Sequence, residues 1–218
     1  MATNRDFSPA DTIPETPDTD APLTLPPVTK AQWVALLNAQ GVTGFNHWRQ
    51  QVGFEGLDLS GVDFDHMDLT GINLSNANLA GASFNHTYLA EARFVMARMQ
   101  AVSAQEADFH LASLEEADLS HADLSGAQCQ GASFEDAKLD HVQAPVASFQ
   151  DANLANVSAT YGMFRDADFT HAVLTRATFA NSVMHWAIMD DAQTEGATLG
   201  VLVDDEAVVD ETLDDTND

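Results

Sequence analysis

Residues 117–127 read ADLSHADLSGA, and the phrase repeats at an interval of five. Stepping by five from Leu119 in both directions gives 29 positions, from Leu59 to Leu199, without an insertion or deletion. Leu or Phe fills 21 of them and Met three more, and Ala stands two residues before the centre 19 times. A period of five matches neither a helix face at 3.6 residues nor a strand alternation of two. A helix on this sequence would smear its Leu and Phe around the whole cylinder. A strand would send successive centres to opposite faces. The pattern is a repeat architecture, in which each unit turns its central and its small residue inward and the other three outward. Four units make one square turn of 20 residues.

The order small residue, polar residue, Leu or Phe, then two variable residues resembles the pentapeptide-repeat family, over roughly residues 55–203. The resemblance implies an all-β solenoid, a right-handed quadrilateral β-helix of about seven coils. The expected organisation is an acidic Pro/Thr-rich disordered tail over 1–30, an N-terminal helical cap over 31–50, the β-helix over 51–203 and an acidic tail over 204–218. In the cap, Trp33, Leu36, Leu37 and Gln40 fall at helical spacing, and Gly41 marks a helix stop. Phe45 and Trp48 follow. The FN-x-WR phrase before a D-L-S-G opening is similar to the lead-in of many bacterial pentapeptide-repeat proteins. A solenoid end exposes its core, and terminal caps cover it.

Inside the rod, residues 20 apart stack in adjacent coils. Ala144 is expected beneath Phe164, Ala159 beneath Phe179, and Ala104 between Phe84 and Leu124, so large residues neighbour small ones. Leu57, Val62, Met67 and Ile72 stand where later units carry Ala, as expected of wider first coils or of coils packed on the cap. Cys129, the one cysteine, falls on a central position and is read as a core filler. The chain lacks an apolar run of 18 residues, so no transmembrane helix is expected. The N-terminus has no basic region followed by an apolar stretch, so a secretory signal is not expected, and a cytoplasmic location is. A non-classical export leader within residues 1–30 stands as the alternative.

The outer surface is acidic. Residues 51–203 carry 21 carboxylates against five cations, a net charge of −16. At a coil spacing of about 4.8 Å the rod is roughly 35 Å long, a length over which duplex DNA carries about 20 charges. Direct nucleic-acid binding is therefore not expected, and the natural partner is a basic protein surface. Some pentapeptide-repeat proteins linked to fluoroquinolone resistance act on DNA gyrase as DNA mimics, and the resemblance makes DNA gyrase, or another DNA-binding protein, the candidate partner. The candidate acidic face is Asp108, Glu115, Glu116, Asp118, Asp123, Glu135 and Asp136. The plainer reading of the same charge is solubility or adaptation to high salt.

A second candidate surface is apolar. The outward residue before the centre is mostly polar early in the chain, but becomes Met163, Val173 and Val183, then Ile188. Trp186 also points outward, with Val146 two coils earlier in the same column. Such a patch marks an interface with a second copy or with another protein, or is covered by the VLV and AVV segments at 201–203 and 207–209. The alternative function is thus a scaffold or secreted effector module that dimerises or docks there. His66 and His86, and His121 and His141 with Tyr161 above them, stack at intervals of 20, as do Asp151, His171 and Asp191. Each His pair supplies only two obvious ligands, so no metal site is assigned. No catalytic residue and no cofactor site is expected, because repeat geometry accounts for the Asp and Ser spacing, and a filled column has no pocket.

Overall fold

The computed structural model describes residues 29–53 and 56–201. Of the tail expected over 1–30, residues 1–28 lie outside the described residues, as do the tail expected over 204–218 and the proposed cover at 202–203 and 207–209, whereas Thr29 and Lys30 already open the helix.

Each five-residue unit lays its polar, outward residue in a short parallel bridge to the residue 20 further on, from Asp58↔Asn78 to Thr178↔Thr198. Four sides result. Face 1 carries the centres Leu59, Leu79 and onward to Leu199. Face 2 runs from Phe64 to Met184, face 3 from Leu69 to Met189, and face 4 from Leu74 to Thr194. The backbone ladder repeats with the same period. A central N–H donates to the coil above, as Leu119 N to Lys138 O at 2.8 Å, and the preceding N–H donates to the coil below, as Asn78 N to Leu57 O at 2.8 Å. A turn bond closes each corner, as Ala82 N to Leu79 O at 2.9 Å.

The corners explain the choice of variable residues. The second residue after each centre adopts a left-handed conformation, for example His121 at φ 63° and Asn156 at φ 59°. Gly, Asn, Asp and His tolerate that region best. Five of the eight histidines, His66, His86, His121, His141 and His171, sit at such corners, so the histidine columns follow from corner stereochemistry. Val146, at φ 60°, is the one β-branched residue among these left-handed corners.

The axis is filled as the periodicity requires. Ala104, Ala144 and Ala159 are fully buried with their large column neighbours, and Cys129 is fully buried too. Burial pushes the Cys129 thiol far above its ordinary pKa, consistent with a filler. Large residues also stack directly: Phe149 lies over Phe169 with centroids 5.1 Å apart and planes 7° from parallel. Where Ser replaces Ala, its hydroxyl joins the ladder. Ser182 Oγ donates to Ala159 O at 2.5 Å and accepts from Gly162 N at 2.8 Å.

The cap is one element, α1 (Lys30–Val52), opened by a capping box in which Thr29 and Gln32 bond reciprocally. Gly41, at φ 64° and ψ −172°, breaks it, so the expected stop is present but a second helical segment follows at once. The break lets the two segments fold onto one aromatic cluster. Trp33 meets Trp48 edge-on at 4.1 Å and Phe45 at 5.3 Å. Trp33, Leu37, Phe45 and Trp48 belong to the same apolar core as Leu57, Val62 and Ile72, with Met67 packed against it. Polar groups complete the junction: Asn46 Oδ1 accepts from Asn73 N at 2.8 Å, Asn46 Nδ2 donates to Gly71 O at 2.8 Å, and Arg49 Nη2 donates to Ser75 O at 2.6 Å. Asn73 N and Ser75 O are the groups that in later coils bond to the coil beneath, which the first coil lacks. Burial lowers the Arg49 pKa to about 10.

The other end differs. In the last coil Ala187, Met189, Ala192 and Leu199 are only half-buried, and Thr194 is exposed. The register also slips there. Continued spacing would pair Val183 with residue 203, but its bridge partner is Val201. The chain takes this shortcut at Gly200, where a Cβ would lie 2.4 Å from Ser182 O.

Candidate functional site

The exterior is built from three outward residues per unit, and their chemistry divides by role. All ten Asp and Asn residues that precede a centre turn their side chain onto the N–H two residues ahead, as Asp108 to His110 at 3.0 Å, Asp118 to Ser120 at 3.1 Å and Asp123 to Ser125 at 3.0 Å. This is the Asx-turn geometry. Where Ser takes that place, an acid or amide from the coil below can reach up instead. Asp65 bonds Asn85 N at 2.8 Å and Asp140 bonds Thr160 N at 2.9 Å. Gln100 and Gln105 donate to the second oxygens of Asp118 and Asp123 at 2.7 and 2.6 Å, and Gln150 does the same for Asp168. Desolvation pushes Asp118, Asp123, Asp140 and Asp168 up, but these hydrogen bonds outweigh it and hold all four below the ordinary carboxylate range. A large part of the acidity thus holds turns together while keeping its charge.

The seven candidate acidic residues do not share one face. Glu115, Glu116, Glu135 and Asp136 cluster on the edge between faces 4 and 1, in adjacent coils, and Asp118 lies beside them on face 1. Glu135 accepts from Asn153 at 3.2 Å, and Glu115 Oε2 is buried without a hydrogen-bond partner among the described residues. Asp123 lies on face 2, and Asp108 on face 3, across the rod from Asp118.

Charge is also sided. Faces 2 and 3 and their shared edge carry eight carboxylates (Asp63, Asp65, Asp68, Glu106, Asp108, Asp123, Asp166 and Asp168) and one cation, Arg165. Faces 4 and 1 and their edge carry seven carboxylates against four cations, Arg93, Arg98, Lys138 and Arg176. The Glu115–Asp136 cluster therefore sits on the more neutralised side.

The apolar candidates separate similarly. Met163 and Val183 follow one another on face 2, Val146 and Trp186 lie on the adjoining edge, and Ile188 is just around it on face 3. Val173 stands apart on face 4. Val201, exposed and continuing the Met163–Val183 column, is a member that period-five counting misses because of the register slip. The Arg165 guanidinium lies 4.7 Å from the centre of the Trp186 ring, a cation–π contact.

The ring columns form as expected. His66 and His86 stack at 5.0 Å, His121 and His141 at 4.7 Å, and Tyr161 continues the latter at 5.3 Å. His171 Nδ1 is 3.4 Å from Asp151 and its Nε2 is 3.7 Å from Asp191. Among the described residues no group of three or more His, Cys, Asp or Glu is arranged to hold a metal ion, and no helix is long and apolar enough to cross a membrane.

A model of pentapeptide repeats matches in eight copies over residues 58–94, 92–128, 105–140 and 147–192. These segments take in more than half of the chain, which belongs to the pentapeptide-repeat family, and its coil is that family's right-handed quadrilateral β-helix. Among solved structures, the chain is similar to HetL from the cyanobacterium Nostoc, a pentapeptide-repeat protein involved in heterocyst differentiation regulation, at 21% identity over 67% of this chain and 88% of that one, with a TM-score of 0.26. It is similar to trypsin-treated QnrB1, a plasmid-mediated fluoroquinolone resistance protein, at 16% identity over 66% and 90%, with a TM-score of 0.42. Rfr23 from the cyanobacterium Cyanothece 51142 matches at 18% identity over 71% and 92%, with a TM-score of 0.15. No curated protein sequence matches the chain.

Proposed function

We propose that this chain is a non-catalytic binding protein whose acidic rod engages a basic surface of another protein. The observation that carries this reading is the density of charge on a solid column. The axis is filled by its own side chains, so a partner meets only the exterior, and that exterior has 20 carboxylates against five cations over residues 58–201. A basic surface that ordinarily receives a nucleic-acid backbone matches that charge per length. The DNA-binding surface of a type II topoisomerase is the most concrete candidate, with the rod acting as a DNA mimic. In a supercoiling assay with purified DNA gyrase at low salt, the protein should inhibit or protect the enzyme at micromolar concentration. Loss of the effect on raising salt should accompany it. Unchanged supercoiling across that range removes the topoisomerase version.

A second reading rests on the exposed side chains of Val146, Met163, Trp186, Ile188 and Val201. They support a scaffold that dimerises or docks near its C-terminal coils. Light scattering on Trp186→Asp tests it: a parent dimer should become a monomer, and an unchanged mass counts against self-association there.

A further inference from the structure

The left-handed corner position on the edge between faces 2 and 3 carries a side chain in every coil but one. The column reads His66, His86, Glu106, Gly126, Val146, Asp166, Trp186. At Gly126 the corner side chain is missing, and a notch lies between Glu106 on one side and Val146 with Pro145 on the other, floored by Ser125 and Gly126 and flanked by Gln128. Two coil steps separate Glu106 from Val146, about 10 Å. The Gln128 amide closes on Gly126 O at 2.9 Å, so the floor's carbonyl is already satisfied. The notch thus offers one carboxylate wall and one aliphatic wall.

We propose that the side formed by faces 2 and 3 is the docking surface of the rod, and that this notch receives an arginine or lysine side chain of a basic protein partner. The inference rests on the acidic-rod reading above and places its contact. Three observations converge. The two-sided lining fits the two chemistries of such a side chain, a cationic head and an apolar stem. The surrounding side is the less neutralised one, with Asp108, Asp123, Asp166 and Asp168 within two coils and Arg165 as its sole cation. Val146 holds a left-handed corner at φ 60° while 64% exposed, so burial does not offset its strain. Asn or Gly there would suit the fold better, so the aliphatic wall is kept at a cost to the corner. Among the described residues the Glu106 carboxylate has the exposed His86 as its neighbour, 3.4 Å from Oε2, and a guanidinium or ammonium can take that place.

The test is fluorescence anisotropy with a labelled oligo-arginine peptide at low salt. Glu106→Gln removes the charge, and Gly126→Asn narrows the notch from its floor, its Cβ 3.2 Å from Glu106 Cγ, without changing charge in a residue type that other corners of this rod accept, as at Asn76 and Asn156. Each should weaken binding about fivefold or more, the scale of one charge-assisted contact, while Glu116→Gln on the opposite edge should change it less than about twofold. Equal losses from Glu106→Gln and Glu116→Gln, or unchanged affinity in a folded Gly126→Asn protein, would overturn the placement while leaving the acidic-rod reading standing. A parent protein that ignores the peptide at low salt removes both.

Discussion

The two ends of the solenoid solve the same problem in opposite ways. At the N-terminal end, α1 lays Trp33, Phe45 and Trp48 over the first coil, and Asn46 and Arg49 satisfy backbone groups that have no coil beneath them. At the C-terminal end the inward side chains of the last described coil stay half-buried or exposed, and the chain leaves register at Gly200. In a stack where each coil contacts only its neighbours, stability is a sum of local terms, so the ends need not share a fate. The capped end should be the last to open and the other end the first to fray.

Cutting the stack between them gives the largest effect. Leu119→Asp places an unpaired charge on the filled axis and should cost more than about 4 kcal/mol. Hydrogen exchange should then show protection surviving in the coils next to α1 and lost beyond residue 119. Equal loss on both sides breaks the comparison. Trp48→Ala, at the capped end, should cost about 3–5 kcal/mol by denaturant melt, because it opens a cavity in the aromatic cluster. Met189→Ala removes a similar apolar group from the bare end and should cost less than about 2 kcal/mol, since that side chain is already partly wet. If Met189 proves as costly as Trp48, the far end is closed in solution by a second copy or by chain outside the described residues. The smallest change is a gain. Val146→Asn should raise stability by roughly 1 kcal/mol through relief of left-handed strain, and weaken oligo-arginine binding. A neutral or lower melting temperature would show that Val146 is repaid within the fold.

The axis was legible because it needs only the period of five. Leu59 to Leu199 could be placed inward by counting, and the inward positions of Ala104 and Cys129 followed. Sidedness was not legible in that way, because the face of an outer residue depends on its place within twenty. Asp118 and Asp108 look alike in the unit yet lie on opposite sides. Counting by twenty puts the His rings in contact and Val146 and Trp186 on one edge two coils apart, whereas the acidic set, gathered by density along the chain, falls on several sides. Asp at the position before the centre looks like surface charge by type alone, but the Ser or Thr two places on, as at Ser120 and Ser125, accompanies the turn bonds these carboxylates make. In the cap, Gly41 marks the break by its residue type, and the helical span expected over 31–50 matches α1 to within two residues, but spacing alone carries no sign of how the two segments fold onto one cluster. The register slip at Gly200 leaves no mark in the repeat count, since Leu199 still fills its place.

Because each unit spans one side of the square, length and orientation of the rod are set by different arithmetic. Removing twenty residues from the middle would shorten the rod by one storey and leave all remaining columns aligned. Removing five would turn the distal half by a quarter revolution against the cap, carrying Trp186 and its neighbours round to a different compass bearing with the interior pattern intact. A lineage can therefore retune reach and aim separately, by whole coils and by single units.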